Sequence, residues 1–257
     1  MPLPSGIHTL GTPFIELQSV DSTNNYALAQ IHANMAQPGT CYFAHEQTAG
    51  KGQRGKTWAT ERNTNIILTI VLKPDFLQPF QQFQLSACVA IATHQFFSQY
   101  DKDQIKIKWP NDIYWQDRKL GGILIENVIR SREPGGGNWD WAVAGIGINI
   151  NQANFDDSLK NPVSLKQITG KSFDQVELAK KLCMSIDHFY EKLMNNQANS
   201  ILEMYNQFLY KKDESVRLKK DNRNFSGFIK KVTPAGQLVV QHSVEEQFNF
   251  GEIEWLI

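Results

Sequence analysis

The sequence predicts an α+β protein: a mixed β-sheet packed with helices over residues 1–212, followed by a small all-β barrel over residues 213–257. Two patterns predict it. In the first part, apolar runs of strand length alternate with longer segments whose apolar residues recur at threes and fours. From Ser215 the helical period stops, and short alternating runs follow one another between turns at Asp221-Asn222 and Pro234-Ala235-Gly236.

Asp21 or Ser22 is placed to cap a first helix through Tyr26, Ala27, Ala29, Gln30 and Ile31. Strands are expected near 40–46 and 65–73. Phe83, Ala87, Ala90, Ile91, His94 and Phe97 set a helix within 80–99. Ile105–Trp109 reads as a strand running into a turn at Pro110-Asn111-Asp112. Strands follow near 113–116 and 120–130, a hairpin loop over Arg132–Asn138, and a strand over Trp141–Ile150. Helical patterns return near 174–194 and 197–211. The barrel strands are Val216–Leu218, Phe225–Ile229, Gln237–Val240 and Phe248–Phe250.

The composition, 41% hydrophobic and 20% charged, is that of a soluble globular chain. Lys+Arg and Asp+Glu both number 26, a balance that argues against a general nucleic-acid binder. Cys41, Cys88 and Cys183 are far apart and make no C-x-x-C, so each reads as a small core residue rather than a metal or disulfide site. The six histidines form no H-x-x-x-H pair, which speaks against zinc. Neither a secretory leader nor a bilayer-length apolar run stands out, so a cytoplasmic setting with no membrane partner is expected.

Gly50-Lys51-Gly52-Gln53-Arg54-Gly55-Lys56-Thr57 matches the P-loop pattern G-x-x-x-x-G-K-[ST] letter for letter. A P-loop must open a helix whose N–H groups cradle phosphate. Here Trp58–Asn65 carries no apolar helical period, and Ile66–Leu72 reads as a buried strand. What is left is a cationic glycine-rich loop between two strands, able to close over an anion with backbone N–H groups and side-chain charge.

Three further segments carry chemistry. Lys108-Trp109-Pro110-Asn111-Asp112 ends a strand in a polar turn, and Lys119 precedes Leu120-Gly121-Gly122. Paired glycines in a strand mark close approach of a ligand or another backbone, and Lys119 beside them offers a cation to reacting anions. A plain hairpin with a solvated Lys119 explains the same letters as well. Gly145-Ile146-Gly147-Ile148-Asn149 reads more simply as a strand thinned under a neighbour, and Ser22-Thr23-Asn24 as a helix cap.

Taken in order, Asp21-Ser22-Thr23-Asn24, Glu46–Trp58, Lys108–Asp112, Asp117–Leu124 and Gly145–Asn149 resemble the biotin–protein ligases, from about residue 14 to the end of the chain. The resemblance implies the biotin–lipoate ligase fold, similar to class II synthetases. It implies activation of biotin by ATP to biotinoyl-5′-AMP, then transfer to a lysine of a biotin carboxyl carrier domain, with magnesium accompanying ATP. It implies Lys119 and Arg54 as catalytic residues. It assigns biotin to Ser22, Thr23, Asn24, Gln47, Gly50, Lys51, Gly52, Gln53, Lys119 and Gly122. ATP falls to Arg54, Gly55, Lys56, Trp58, Asn111, Asp112 and Asn149. The magnesium ligands are not legible; Asp112 either serves there or orients its turn.

The chain departs from the family at Gln53, where many relatives carry an arginine that retains the adenylate; Arg54 is expected to take over that role. Bifunctional relatives carry a helix-turn-helix module before the catalytic domain. About a dozen residues precede the match here, so no operator DNA binding is expected. A homodimer paired through a sheet edge is open. The nearest rival is a lipoate or octanoate ligase of the same fold; the intact loop ending in Trp58 and the terminal barrel favour biotin. A nucleic-acid-binding protein and a true P-loop NTPase fit the charge balance and the loop context less well.

Overall fold

The computed structural model describes residues 9–133 and 136–256. In chain order the elements are β1 (Phe14–Leu17), α1 (Thr23–His32), β2 (Cys41–Ala44), β3 (Ile66–Leu72), α2 (Gln82–Phe97), β4 (Ile105–Lys108), β5 (Asp112–Trp115), β6 (Arg118–Glu133) and β7 (Gly136–Ile148). They continue with α3 (Leu165–Thr169), α4 (Gln175–Met194), α5 (Ala198–Gln207), β8 (Ser215–Lys220), β9 (Arg223–Val232), β10 (Leu238–Gln241), β11 (Glu245–Phe248) and β12 (Glu254–Trp255).

The first seven strands form one mixed sheet in the order β1-β2-β3-β7-β6-β5-β4. Only the β1–β2 pair is parallel. Strand residues alternate between faces, and the central strands show what each face does. Ile70 and Leu72 of β3, beside Ala144 and Ala142 of β7, enter the main core with Leu85, Val89 and Ile91 of α2. Val71, paired with Val143, enters a smaller cluster with Ala27 and Ile31 of α1. The central sheet is therefore covered on both sides, which is why β3 reads as an unbroken apolar run. Helix α2 is apolar nearly all round because it lies inside the main core cluster, which α4 and α5 also enter. Asp174 starts α4 by accepting from Val176 N and Glu177 N at 2.9 and 3.0 Å.

The last five strands form an antiparallel sheet in the order β11-β10-β9-β8-β12. Its ladder has two ends, and no pairing between β11 and β12 closes it among the described residues. The barrel expected from the sequence is an open sheet here, because β12 is two residues long and pairs only with β8. This sheet is held to the rest of the chain through Trp109 Nε1, which follows β4 and donates to Gly236 O at 2.9 Å, and through Asn206 of α5, whose side chain meets both N and O of Val232.

Other differences have physical reasons. Strand β1 is a four-residue, partly exposed edge, too short to set up an alternation of its own. The β6–β7 ladder continues through the pairs Arg130–Asn138 and Ser131–Gly137 to Glu133–Gly136, so residues 132, 133 and 136–138, expected in a loop, are strand; residues 134–135 lie outside the described residues. Ladder hydrogen bonds sustain those strand ends, where the Gly- and Pro-rich sequence carries no strand pattern. No helix follows the glycine-rich loop, which forms only the short turn Gln53–Gly55 before β3, as its composition requires.

Candidate active site

One cleft of about 1460 Å³ opens on the α1 side of the sheet and runs to the C-terminal sheet. It is lined by Ser22, Thr23, Asn24, Gln47, Lys51, Gly52, Gln53, Arg54, Lys56, Trp58, Asn111, Asp112, Lys119, Gly122 and Asn149. Of the residues singled out in the sequence, Gly50 and Gly55 do not line it. Both shape the strap over it.

The floor is glycine. In β7, Gly145 and Gly147 share the face of Val143, while Ile146 and Ile148 enter the core. A Cβ at Gly147 would lie 2.5 Å from the Trp58 ring, and one at Gly145 would overlap Asn24 Oδ1. The sequence reading of a strand thinned under a neighbour is borne out, and the neighbours are cleft residues. Gly122, opposite Gly147, continues the floor.

Lys119 reaches this floor through an irregularity. Asp112 pairs with Gly122 and Ile113 with Gly121, but Tyr114 pairs with Lys119 instead of Leu120. Strict alternation would put Lys119 and Gly122, three apart, on opposite faces. The bulge turns Leu120 into the core and leaves Lys119 over the glycine. Lys119 Nζ lies 2.8 Å from Asp112 Oδ1 and 5.5 Å from the centre of the Trp58 ring. Asp112, whose role the sequence left open, is thus the counter-ion of Lys119. Asn111 donates to Ile123 O, and Asn149 Nδ2 to Val163 O at 3.1 Å, so both amide donors brace backbone at the cleft wall.

The opposite end is a small polar pocket. Thr23 N and Oγ1 donate to Gln47 Oε1 at 2.8 and 3.1 Å. Thr69 Oγ1 donates to Asn24 Oδ1 at 2.6 Å, and Asn24 Nδ2 donates to Glu126 Oε2 at 2.8 Å. Ser22 is the N-cap residue of α1, but its side chain makes no cap bond. Its hydroxyl is buried without a partner and faces the cleft, which corrects the capping reading and leaves one polar atom to be satisfied there.

Between these ends the glycine-rich strap folds as a narrow hairpin. Trp58 N donates to Gly50 O at 2.9 Å and Gly52 N to Lys56 O at 2.6 Å. A Cβ at Gly50 would overlap Trp58 O, so this close approach requires glycine. Lys51 Nζ sits 3.5 Å from Glu126 Oε1, tying the strap to β6. Arg54, at a left-handed φ of 56°, donates to Gly251 O at 3.2 Å and lies 5.9 Å from the centre of the Phe250 ring.

The sequence reading passed over Glu126, Thr69, Phe250 and Trp255. Glu126 lies two alternations beyond Gly122 on one strand face, a signal that was available. Trp255 comes from β12 and Phe250 from the turn before it, and nothing local in the sequence links them to the cleft.

The mixed sheet thus carries a cationic strap, a lysine over a glycine floor and a polar pocket beyond it. Residues 16–140, just under half of the chain, match the model of the biotin/lipoate A/B protein ligase family. The chain is 28% identical over 233 residues to the bifunctional ligase/repressor BirA of Bacillus spizizenii, covering 87% of this chain and 68% of that protein. It is 32% identical over 169 residues to the biotin–[acetyl-CoA-carboxylase] ligase of Paracoccus denitrificans, covering 63% of this chain and 66% of the other. Across four bacterial bifunctional relatives the matched span covers 50% to 72% of their length. The solved biotin protein ligase of Aquifex aeolicus in complex with biotin and ATP superposes with a TM-score of 0.77 at 24% identity, over 94% of this chain and 97% of that one. At that identity the likeness is one of fold.

Proposed function

We propose that the chain is a biotin–protein ligase, which joins biotin to ATP as biotinoyl-5′-AMP and passes the biotinoyl group to a lysine of a biotin carboxyl carrier domain. The carrying observation is the two-ended cleft: Lys119 with Asp112 over the glycine floor at one end, and the polar pocket with the unpartnered Ser22 hydroxyl at the other. A fused bicyclic ring with a ureido group presents both N–H donors and a carbonyl acceptor, and Ser22, Thr23, Asn24 and Gln47 offer partners for such groups. Lipoyl and octanoyl tails lack them and would leave buried polar atoms unmet.

In the first step a carboxylate oxygen forms a bond to the α-phosphorus, and the bond from that phosphorus to the bridging oxygen of pyrophosphate breaks. Two anions meet, so Lys119 neutralises the oxygens that approach. The strap of Lys51, Gly52 and Gln53 covers the chain between ring and carboxylate, shielding the adenylate from water. Arg54 serves retention by holding the strap closed, while Lys56, Trp58, Asn111 and Asn149 border the nucleotide. In the second step a carrier amine attacks the acyl carbonyl, and AMP leaves. Magnesium belongs here as the ion carried by ATP. Among the described residues no group of three metal-ligating side chains stands together, so its ligands would come chiefly from phosphate oxygens and water.

We further take residues 1–212 and 213–257 as two units, with the second completing the cleft. Two copies pairing through the β1 or β4 edge would show in sedimentation. We take the enzyme as cytoplasmic; no described helix is long and apolar enough to cross a membrane.

The deciding experiment is ATP–pyrophosphate exchange with biotin, lipoate and octanoate side by side. Exchange with biotin alone is expected. Exchange with lipoate or octanoate instead would keep the chemistry and change the acid; no exchange with any of them would end the ligase reading.

A further inference from the structure

Lys108, the last residue of β4, lies opposite Asp112 in the β4–β5 ladder and lines the cleft. Its position differs from that of Lys119. The Lys119 ammonium has Asp112 at 2.8 Å, but no carboxylate comes within ion-pair distance of Lys108 among the described residues. Lys108 Nζ donates to Tyr114 Oη at 3.1 Å, and it lies 4.7 Å from the centre of the Tyr114 ring and 5.4 Å from that of Trp255. Trp255 lines the same cleft from the C-terminal sheet, and its indole N–H is buried without an acceptor. One corner of the cleft therefore holds an unmet indole donor beside a cation whose hydrogen-bond partner is a neutral hydroxyl. A desolvated ammonium without a carboxylate is costly, and aromatic rings offset only part of that cost. Burial first, and the charges of Lys119, Lys160 and Lys56 after it, hold the Lys108 amine down at about 8 against the pull of Asp112. Lys56 and Lys160 also line the cleft, so the local field favours an anion with several charges.

We propose that Lys108 is a second anion-binding residue of this site, taking the β- and γ-phosphate oxygens of ATP and hence the departing pyrophosphate, with the Trp255 indole N–H as its companion donor. The proposal rests on the reading of the cleft as an ATP site. It divides the work between the two lysines: Lys119 serves the carboxylate and the α-phosphate, and Lys108 serves the leaving group.

Inorganic tripolyphosphate is the probe, because it carries the phosphate chain without adenosine and its binding needs no biotin. By calorimetry, Lys108→Gln is expected to weaken tripolyphosphate by about tenfold or more, the loss of one charge-assisted contact. Lys108→Arg keeps the charge and retains most of the affinity, and biotin binds both variants as it binds the wild type. In exchange assays KM for ATP rises while KM for biotin stays. A folded Lys108→Gln protein with wild-type tripolyphosphate affinity overturns the proposal, as does an equal loss of biotin affinity. If the glutamine variant does not fold, the wild type answers. An amine-acylating reagent followed by peptide mapping should label Lys108, and tripolyphosphate should suppress that label; labelling that tripolyphosphate leaves unchanged overturns the proposal. Wild-type protein that exchanges pyrophosphate with biotin but shows no Lys108-dependent polyphosphate binding defeats this proposal alone. Lys108-dependent binding without biotin exchange defeats only the ligase reading.

Discussion

Ser22 and Lys119 show how a single atom's partners decide a role. At an N-cap, replacing serine with alanine ordinarily costs about 1 kcal/mol. Ser22 makes no cap bond, so Ser22→Ala should leave stability within about 0.5 kcal/mol and weaken biotin about tenfold. Thermal melts and biotin titration read the two effects separately; a stability loss with unchanged biotin affinity would restore the plain cap. Lys119→Ala should lower exchange by about two to three orders of magnitude, the scale seen when a donor to developing charge is removed. Biotin affinity should shift far less, and a variant keeping about half its exchange rate would remove Lys119 from the chemistry. The sequence named both residues but could not rank them against hairpin and cap. That choice depended on where Oγ and Nζ ended up.

Strand β7 and helix α2 carry the next scale. Gly147→Ala places a methyl 2.5 Å from the Trp58 ring, so the indole must shift. The substitution should cost about 1–3 kcal/mol by overpacking and move the Trp58 fluorescence. A melt and an emission spectrum matching wild type would show that the floor is not tight. Helix α2 is pinned to β4 by His94, whose Nε2 lies 2.9 Å from Ile105 O and which is fully buried. Burial holds its pKa down at about 4, against 6.5 for a free imidazole. Between those values the unfolded chain binds the proton and the folded chain does not. Stability should therefore fall as pH drops from 6.5 towards 4, by about 1.4 kcal/mol per unit at most. His94→Gln should flatten that limb in urea titrations across the window, and an unchanged slope would assign the acid sensitivity elsewhere. Alternation and helical period made the strands and long helices legible. They could not reveal the bulge at Leu120, because a bulge breaks the period on which such reading relies.

Over the whole molecule, the C-terminal sheet meets both walls of the cleft. Phe250 packs edge-on against Trp109 at 6.0 Å between ring centres and lies under the Arg54 guanidinium. The strap is thus latched by residues almost two hundred positions away in sequence. Phe250→Ala and Arg54→Ala should each speed escape of the adenylate by about two- to fivefold, the size of an exposed cation–π contact. Their double variant should leak no faster than the worse single one. Measured release from gel-filtered protein tests this, and strictly additive effects would sink the latch. Phe250 is half-exposed, so its loss should leave the melting temperature near wild type.

The sequence by itself determined the chemistry on offer: the cationic glycine-rich strap, the polar turn, the glycine pairs and the absence of a helix after Thr57. These are local facts, written in spacing and backbone preference. Only the tertiary structure decided that Gly122, Gly145 and Gly147 face the cleft, that Asp112 neutralises Lys119 while Lys108 has no carboxylate at ion-pair distance among the described residues, and that the turn before β12 closes on Arg54. Those outcomes turn on face, register and contact between distant strands. Such contacts are fixed by packing the whole sheet at once, and no single segment carries them.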